Sequence, residues 1–159
     1  MDDVAVARAL HVLAIVLWIG GVGLVTTVLL PMLRRMPDPG ERRTVFKQIE
    51  RRFGRQARIS IVLAGLTGLY MLVRMHLWYR FASPLYWWMY AMVLVWLIFA
   101  LMLFVLEPFI LHHHLVARMA RDPDATFRTI HRLHIVLLTL SLLTILGAVA
   151  GSHGLLSFG

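Results

Sequence analysis

The residues best able to do chemistry in this sequence are its eight histidines, since no cysteine is present. A neutral imidazole is the commonest protein ligand for transition metals such as iron and copper. The histidines form two groups near the ends of long apolar stretches: His11, His76 and His153 in one, and His112, His113, His114, His131 and His134 in the other. We therefore expect metal or cofactor binding near an end of the structure that these stretches build.

Four long apolar stretches must position these histidines. The chain is 60% apolar and 15% charged, whereas about a quarter of a soluble domain is charged. The apolar runs are continuous, which favours helices, and helices satisfy their own backbone hydrogen bonds in lipid. The sequence thus predicts an all-α fold in one domain over 1–159, an integral membrane four-helix bundle with spans at about 9–30, 59–78, 84–111 and 133–151.

The distribution of charge predicts the orientation of the bundle. Segment 34–58 carries nine basic residues and the third loop four more, against three on the opposite side. Positive residues mark cytoplasmic loops, so both termini are expected on the non-cytoplasmic side. The predicted location is the cell inner (cytoplasmic) membrane, as a multi-pass protein. Membrane topology and anionic lipid account for the basic charge, and no nucleic acid is expected as a partner.

A basic amphipathic cytoplasmic helix is predicted over about 39–58. The run Asp38–Glu41 supplies an N-cap, a proline at the first helical position and a capping-box glutamate. Val45, Ile49 and Phe53 then form one apolar stripe along the helix. Asp122-Pro123 repeats the cap and proline, which predicts that the fourth helix begins before its span.

An outer cofactor site is predicted between the first two spans. His11 and His76 each lie about one turn inside a span and could ligate one iron or copper ion. Gly65 and Gly68 would leave room for a porphyrin, and Arg74 could bind a propionate or another acidic group, or extend to the membrane surface. The alternative is that each histidine only hydrogen-bonds a neighbouring helix.

The remaining histidines offer one alternative ligand and one further site. His153, at the outer end of the fourth span, could replace His11 or His76 as a ligand, or have no role. At the inner ends, His112 and His131 are expected at equal height, and His131 and His134 share a helix face, so a second metal or haem is a hypothesis there. Glu107 is expected to pair with an arginine of the cytoplasmic loops.

Two pairs of small residues are typical of close helix packing in membranes: Ala64/Gly68 and Gly147/Gly151. They would pack helices of one chain or suit a homodimer.

Over all four spans in order, the chain resembles two related membrane families, the HemJ-type protoporphyrinogen oxidases and the CopD-type copper-resistance membrane proteins, and the specific matches are concentrated in its first half. The matching residues are Ala9-Leu10-His11, Trp18-Ile19-Gly20-Gly21, Leu30-Pro31, the segment 46–53, and Leu66-Thr67-Gly68-Leu69. The resemblance implies a four-helix membrane protein that binds haem b, with His11 at the position of the families' first-helix histidine. The chain departs from HemJ proteins in lacking a third-span lysine, and Met32-Leu33-Arg34 replaces their second histidine.

The sequence therefore supports three functional hypotheses. The first is a haem-b-binding membrane redox protein with one or two haems, either a small cytochrome that exchanges electrons with quinone or a redox partner protein, or an oxidoreductase. The second is a copper-handling membrane protein that uses Met71, Met75 and His76. The third is a structural or assembly subunit without a cofactor.

Overall fold

The computed structural model describes residues 2–111 and 121–154. Its α-helices are α1 (Asp2–Leu24), α2 (Leu30–Arg34), α3 (Pro39–Arg74), α4 (Trp87–Leu101) and α5 (Pro123–Ser152). A π-helical segment, Val25–Leu29, joins α1 to α2, and a second one, Met102–Leu111, continues α4. Short 3-10 turns over Leu77–Ala82 and Pro84–Tyr86 connect α3 to α4.

Within the described residues, four helical stretches are long and apolar enough to cross a membrane: Asp3–Arg34, Pro39–Arg74, Pro84–Glu107 and Pro123–Ser152. The predicted all-α, four-span, multi-pass architecture is thus confirmed, whereas the side that each end faces stays a prediction. We call the end with α2 and the starts of α3 and α5 the basic end. The opposite end, where α3 passes to α4, is the aromatic end.

The predicted amphipathic helix and the second span form one continuous helix. α3 has 36 residues, a length of about 54 Å, which exceeds the roughly 30 Å hydrocarbon thickness of a bilayer. It ends at Arg74, earlier than the predicted span, because the chain turns into 3-10 geometry. The basic half of α3 therefore extends the bundle beyond the hydrocarbon layer.

The starts of α3 and α5 are capped as the sequence predicted. The Asp38 carboxylate accepts hydrogen bonds from the backbone N–H groups of Gly40 and Glu41, both at 3.1 Å. Asp122 accepts one from the N–H of Ala125 at 2.9 Å. Proline occupies the first turn of both helices, where a missing N–H costs nothing.

The apolar stripe of α3 packs onto protein at the basic end. Val45, Ile49 and Phe53 lie against a buried cluster that contains Leu30 and Phe127, each 1% exposed. A second cluster lies further along the bundle and contains Trp18, Ile19, Val22, Ile61, Phe99 and Leu137. These two clusters join α1 to α3 and to α5, while many large apolar side chains on the outside of the helices stay exposed for lipid.

Tryptophan rings close the aromatic end by lying on glycines. A Cβ atom on Gly147 would lie 2.5 Å from the ring of Trp87, and one on Gly151 would lie 2.5 Å from the ring of Trp88. The pair Gly147/Gly151 therefore packs α4 onto α5 within the chain. Trp88 is 4% exposed and belongs to the bundle interior.

Candidate ligand cavity at the basic end

A cavity of about 140 Å³ lies between α1, α3, the second π segment and α5, toward the basic end. A cavity of about this volume holds one six-membered ring. Its lining is mostly apolar, with four aromatic side chains and three polar ones: Trp18, Phe46, Phe53 and Phe99, and Glu50, Glu107 and His134. An apolar pocket with a few polar groups is the usual form of a small-molecule site.

Both π-helical segments contribute to the wall of this cavity. Val25 comes from the first segment, and Met102, Leu103 and Glu107 come from the second. π-helical turns are rare, and they occur frequently at functional sites because they displace backbone groups from their ordinary partners. The displaced carbonyl groups can be traced in both segments.

In the first π segment, the carbonyl group of Thr26 has no partner in its own helix. The N–H of Leu30, which would reach it in an α-helix, donates instead to the carbonyl of Val25. The next N–H along would belong to Pro31, which has none. His131 of α5 donates from Nε2 to the Thr26 carbonyl at 3.0 Å and so replaces the missing helical bond.

The second π segment shows the same arrangement. In π geometry the carbonyl of Leu103 would accept from residue 108, which is a proline without an N–H. Arg58 of α3 donates from Nε to this carbonyl at 3.4 Å and from Nη2 to Glu107 Oε1 at 2.9 Å. The predicted pairing of Glu107 with an arginine of segment 34–58 is therefore confirmed.

The histidines of the predicted inner site have separate hydrogen-bonding partners. His131 donates through Nε2, and Arg34 Nη1 lies 3.4 Å from its Nδ1, so both ring nitrogens are engaged. His134 donates from Nδ1 to the carbonyl of Ile130 at 2.9 Å. His112 lies outside the described residues. Over 2–111 and 121–154, no three His, Cys, Asp or Glu residues form a group that could hold a metal ion, and the inner metal site stays a prediction.

His11 lies between α1 and α3 in an orientation that suits a ligand. Its Nδ1 donates to the carbonyl of Ala64 at 2.9 Å and lies 3.0 Å from Thr67 Oγ1. The Thr67 hydroxyl itself donates to the carbonyl of Leu63 at 2.6 Å. Because a carbonyl only accepts, Nδ1 carries the proton and Nε2 has the free lone pair. Metal-ligating histidines are commonly oriented by such a bond from the other ring nitrogen.

The structure does not bring His76 to the same place as His11. A Cβ atom on Gly68 would lie 3.2 Å from Cε1 of His11, so the His11 ring lies beside Gly68. His76 follows Gly68 by eight residues, about 12 Å along a helix. It is exposed and lies between α3 and the following 3-10 turn, in a left-handed conformation with φ of 52°. Whether either histidine binds a cofactor stays a prediction.

The two glycines predicted to make room for a porphyrin are covered by side chains. A Cβ atom on Gly65 would lie 2.7 Å from the ring of Trp96, whose Nε1 donates to the carbonyl of Ile61 at 2.9 Å. The ring of His11 covers Gly68. In the described part of the chain, the surface between α1 and α3 therefore offers one suitable imidazole but no slot for a haem at these glycines.

The other residues of the predicted outer site bond within the protein. Arg74 donates from Nε and Nη2 to the Asp3 carboxylate at 3.1 and 3.0 Å, and Tyr70 donates to the same oxygen at 2.8 Å. Arg74 thus binds an acidic group, but one that belongs to α1. His153 is exposed and donates from Nδ1 to the carbonyl of Val149 at 2.9 Å.

Comparison with known protein families gives a match over α1, α3 and α4. Residues 13–119 match the model of a family described as a domain of unknown function, DUF4149. The chain belongs to the DUF4149 family. No curated protein and no solved structure matches it. The DUF4149 match includes the cavity walls from α1, α3 and the second π segment, and it excludes His11 and α5. The likeness to HemJ-type and CopD-type proteins stays a prediction.

Sequence reasoning did not find the cavity as a site. It identified Glu107, and it named His134 as a metal ligand, but it did not place Trp18, Phe53 and Phe99 around one space. The available signal was the pair of prolines, Pro31 and Pro108, each near the basic end of an apolar span.

Proposed function

We propose that this protein binds a small, mainly apolar molecule from the bilayer in the basic-end cavity. The observation that carries the proposal is an apolar, aromatic-walled space of about 140 Å³ beside two π-helical segments. In the described residues it lies among four helices that are long and apolar enough to cross a membrane. A lipid-soluble ligand reaches such a site without leaving the membrane. Because its apolar surface is already out of water, packing against the aromatic side chains, rather than the hydrophobic effect, supplies the binding free energy.

The wall of the cavity also explains how a ligand would be held in one orientation. The Arg58–Glu107 ion pair and the His131–Thr26 bond fix the two π segments on either side of the space. The indole N–H of Trp18 is buried and has no hydrogen-bond partner within the described residues. An unpaired buried donor costs free energy, and an oxygen atom of a ligand would recover part of it.

A glycine next to the cavity provides a direct test. A Cβ atom on Gly21 would overlap the ring of Phe53, which lines the cavity, whereas nothing lies within 4 Å of a Cβ on Gly20. Gly21→Ala should push the Phe53 ring into the cavity, and Gly20→Ala is the matched control. Native mass spectrometry of the purified protein with heptylbenzene should show one bound molecule for the wild type and Gly20→Ala, and at least tenfold weaker binding for Gly21→Ala.

Equal binding by all three proteins, or none by the wild type at saturating heptylbenzene, would contradict the proposal. Equal binding would mean that the probe lies on the lipid-facing surface. The Gly20→Ala control shows whether a loss of binding in Gly21→Ala comes from the displaced Phe53 ring or from adding any methyl group to α1.

A metal centre on His11 is the second candidate function. It is supported by the hydrogen bond from His11 Nδ1 to the Ala64 carbonyl, which leaves Nε2 available to haem iron or copper. Such a centre would supply the redox chemistry that the sequence suggested, with quinone or a redox protein as partner. Absorption spectra of the oxidised and reduced protein, with metal analysis, test it: a chromophore or copper lost in His11→Ala supports it, and a colourless, copper-free wild type excludes it.

We further propose that the basic end faces the cytoplasm, in the inner membrane of the cell. The supporting observation is the cluster of exposed basic side chains on the first half of α3, including Lys47, Arg51 and Arg55. The chain has no cysteine, so single cysteines can be labelled without background. A membrane-impermeant maleimide added to whole cells should label Ser83→Cys at the aromatic end and leave Thr44→Cys unlabelled; the reverse pattern would invert the orientation.

A further inference from the structure

The polar groups of the cavity wall indicate what kind of ring the cavity accepts. His134 donates from Nδ1 to the carbonyl of its own helix at Ile130, 2.9 Å away. Because the neutral imidazole carries one proton, Nε2 on the other side of the ring is a hydrogen-bond acceptor. Within the described residues, nothing bonds to this nitrogen. His134 lines the cavity, and an apolar hydrocarbon bound there would offer no donor to this acceptor.

Two further polar groups of the wall add to this pattern. Glu107 contributes carboxylate oxygens, which also accept, and the Trp18 indole contributes a buried N–H with no partner in the described part of the chain. The aromatic faces of Phe53 and Phe99 suit a flat ring. A ring hydroxyl both donates and accepts, so it matches both kinds of group, whereas an ether or a carbonyl oxygen only accepts.

We infer that the ligand is a phenol or hydroquinone ring whose O–H donates to His134 Nε2. This inference rests on the proposed function, since it names the chemistry of a ligand in the same cavity. Hydroquinones with apolar tails are lipid-soluble members of this class. The ring would occupy the cavity between the aromatic side chains, and a tail would extend into the bilayer.

A matched pair of probes isolates the hydroxyl proton. 4-Heptylphenol and 4-heptylanisole have the same ring and tail, but only the phenol donates a hydrogen bond. Native mass spectrometry should show the phenol binding about five- to tenfold more tightly than the anisole to the wild type, the gain typical of one hydrogen bond in a dry site. His134→Phe keeps a ring of similar size and should abolish this preference. His134→Gln keeps an acceptor oxygen and should retain part of it.

The outcomes separate the inference from the proposed function. Equal binding of both probes to the wild type, with weak binding of both to Gly21→Ala, would overturn the hydroxyl inference and leave the cavity as a binding site. A preference that survives unchanged in His134→Phe would also overturn it, because the acceptor would then lie elsewhere. Failure of both probes to bind the wild type would contradict the proposed function itself.

Discussion

At the aromatic end tryptophan rings lie directly on glycines, whereas at the basic end the same four helices leave a cavity and depart from α-helical geometry. Trp87 and Trp88 cover Gly147 and Gly151, so flat rings and helix backbone are in direct contact at that end of the bundle. The basic end instead contains two π-helical segments and charged or imidazole side chains that bond to backbone carbonyls.

The difference shows two ways to join helices in a membrane. Close packing needs small residues and gains dispersion energy over a large contact, and it leaves no space. At the basic end, side-chain hydrogen bonds to displaced carbonyls replace helical bonds that prolines removed. These bonds join the helices at single points and leave space between those points. A binding site is therefore expected at the basic end, and substitutions at the two ends can test this contrast.

The largest effect is expected for Arg58→Met at the basic end. This change leaves the Leu103 carbonyl and the Glu107 carboxylate without their donor. Breaking a buried ion pair from one side costs about 3–5 kcal/mol, and because the two side chains here are 35% and 28% exposed, we expect about 3 kcal/mol. Unfolding by SDS in mixed micelles would measure it. Arg55→Met, an exposed arginine on the same helix, is the control and should cost under about 0.5 kcal/mol.

Gly151→Ala should have the next largest effect, at the aromatic end. The added methyl would lie 2.5 Å from the Trp88 ring, which is only 4% exposed. Overpacking of this kind costs about 1–3 kcal/mol, and we expect about 2 kcal/mol in the same unfolding assay. Gly23→Ala, whose Cβ would meet Leu138 at an ordinary 3.9 Å, is the control. If Trp88→Phe in the Gly151→Ala background restores no stability, the ring contact is not the cause.

The fold could be predicted from the sequence because its determinants are local. Apolar runs gave the four helices, and an aspartate before a proline gave the starts of α3 and α5. Glu107 could be paired with an arginine because an isolated carboxylate in a span needs a partner. Each of these inferences needs only neighbouring residues or the general cost of polar groups in lipid.

The candidate site could not be predicted in the same way, because its parts come from distant segments. His131 lies 105 residues from the Thr26 carbonyl that it bonds. In the sequence, Gly65 is equally consistent with space for a cofactor and with space for a side chain. Only the fold shows that the Trp96 ring occupies the space beside it. Pro31 and Pro108 can be read from the sequence. Which carbonyl each proline leaves without a donor depends on whether the preceding turn is α-helical or π-helical, and only the structure shows that.

A smaller effect is expected for His131→Phe. The change leaves the Thr26 carbonyl without a donor, and His131 is only partly buried, so we expect a loss of about 1 kcal/mol. Pro31→Ala supplies an N–H that can reach this carbonyl in π geometry. A double-mutant cycle should therefore show that His131→Phe costs less in the Pro31→Ala background. Additive effects would show that the carbonyl does not depend on His131.

The smallest change in stability is expected for Gly21→Ala, although the overlap of its added Cβ with the Phe53 ring is the tightest of the glycine contacts described above. The atoms it meets belong to the far end of the Phe53 side chain, and that ring can move into the cavity that it lines. Alanine also favours the helix over glycine by up to about 1 kcal/mol. We expect a net change within about 0.5 kcal/mol in the SDS assay, against about 2 kcal/mol for Gly151→Ala. An equal loss at the two glycines would mean that the basic end is packed as tightly as the aromatic end, and the contrast between them would fail.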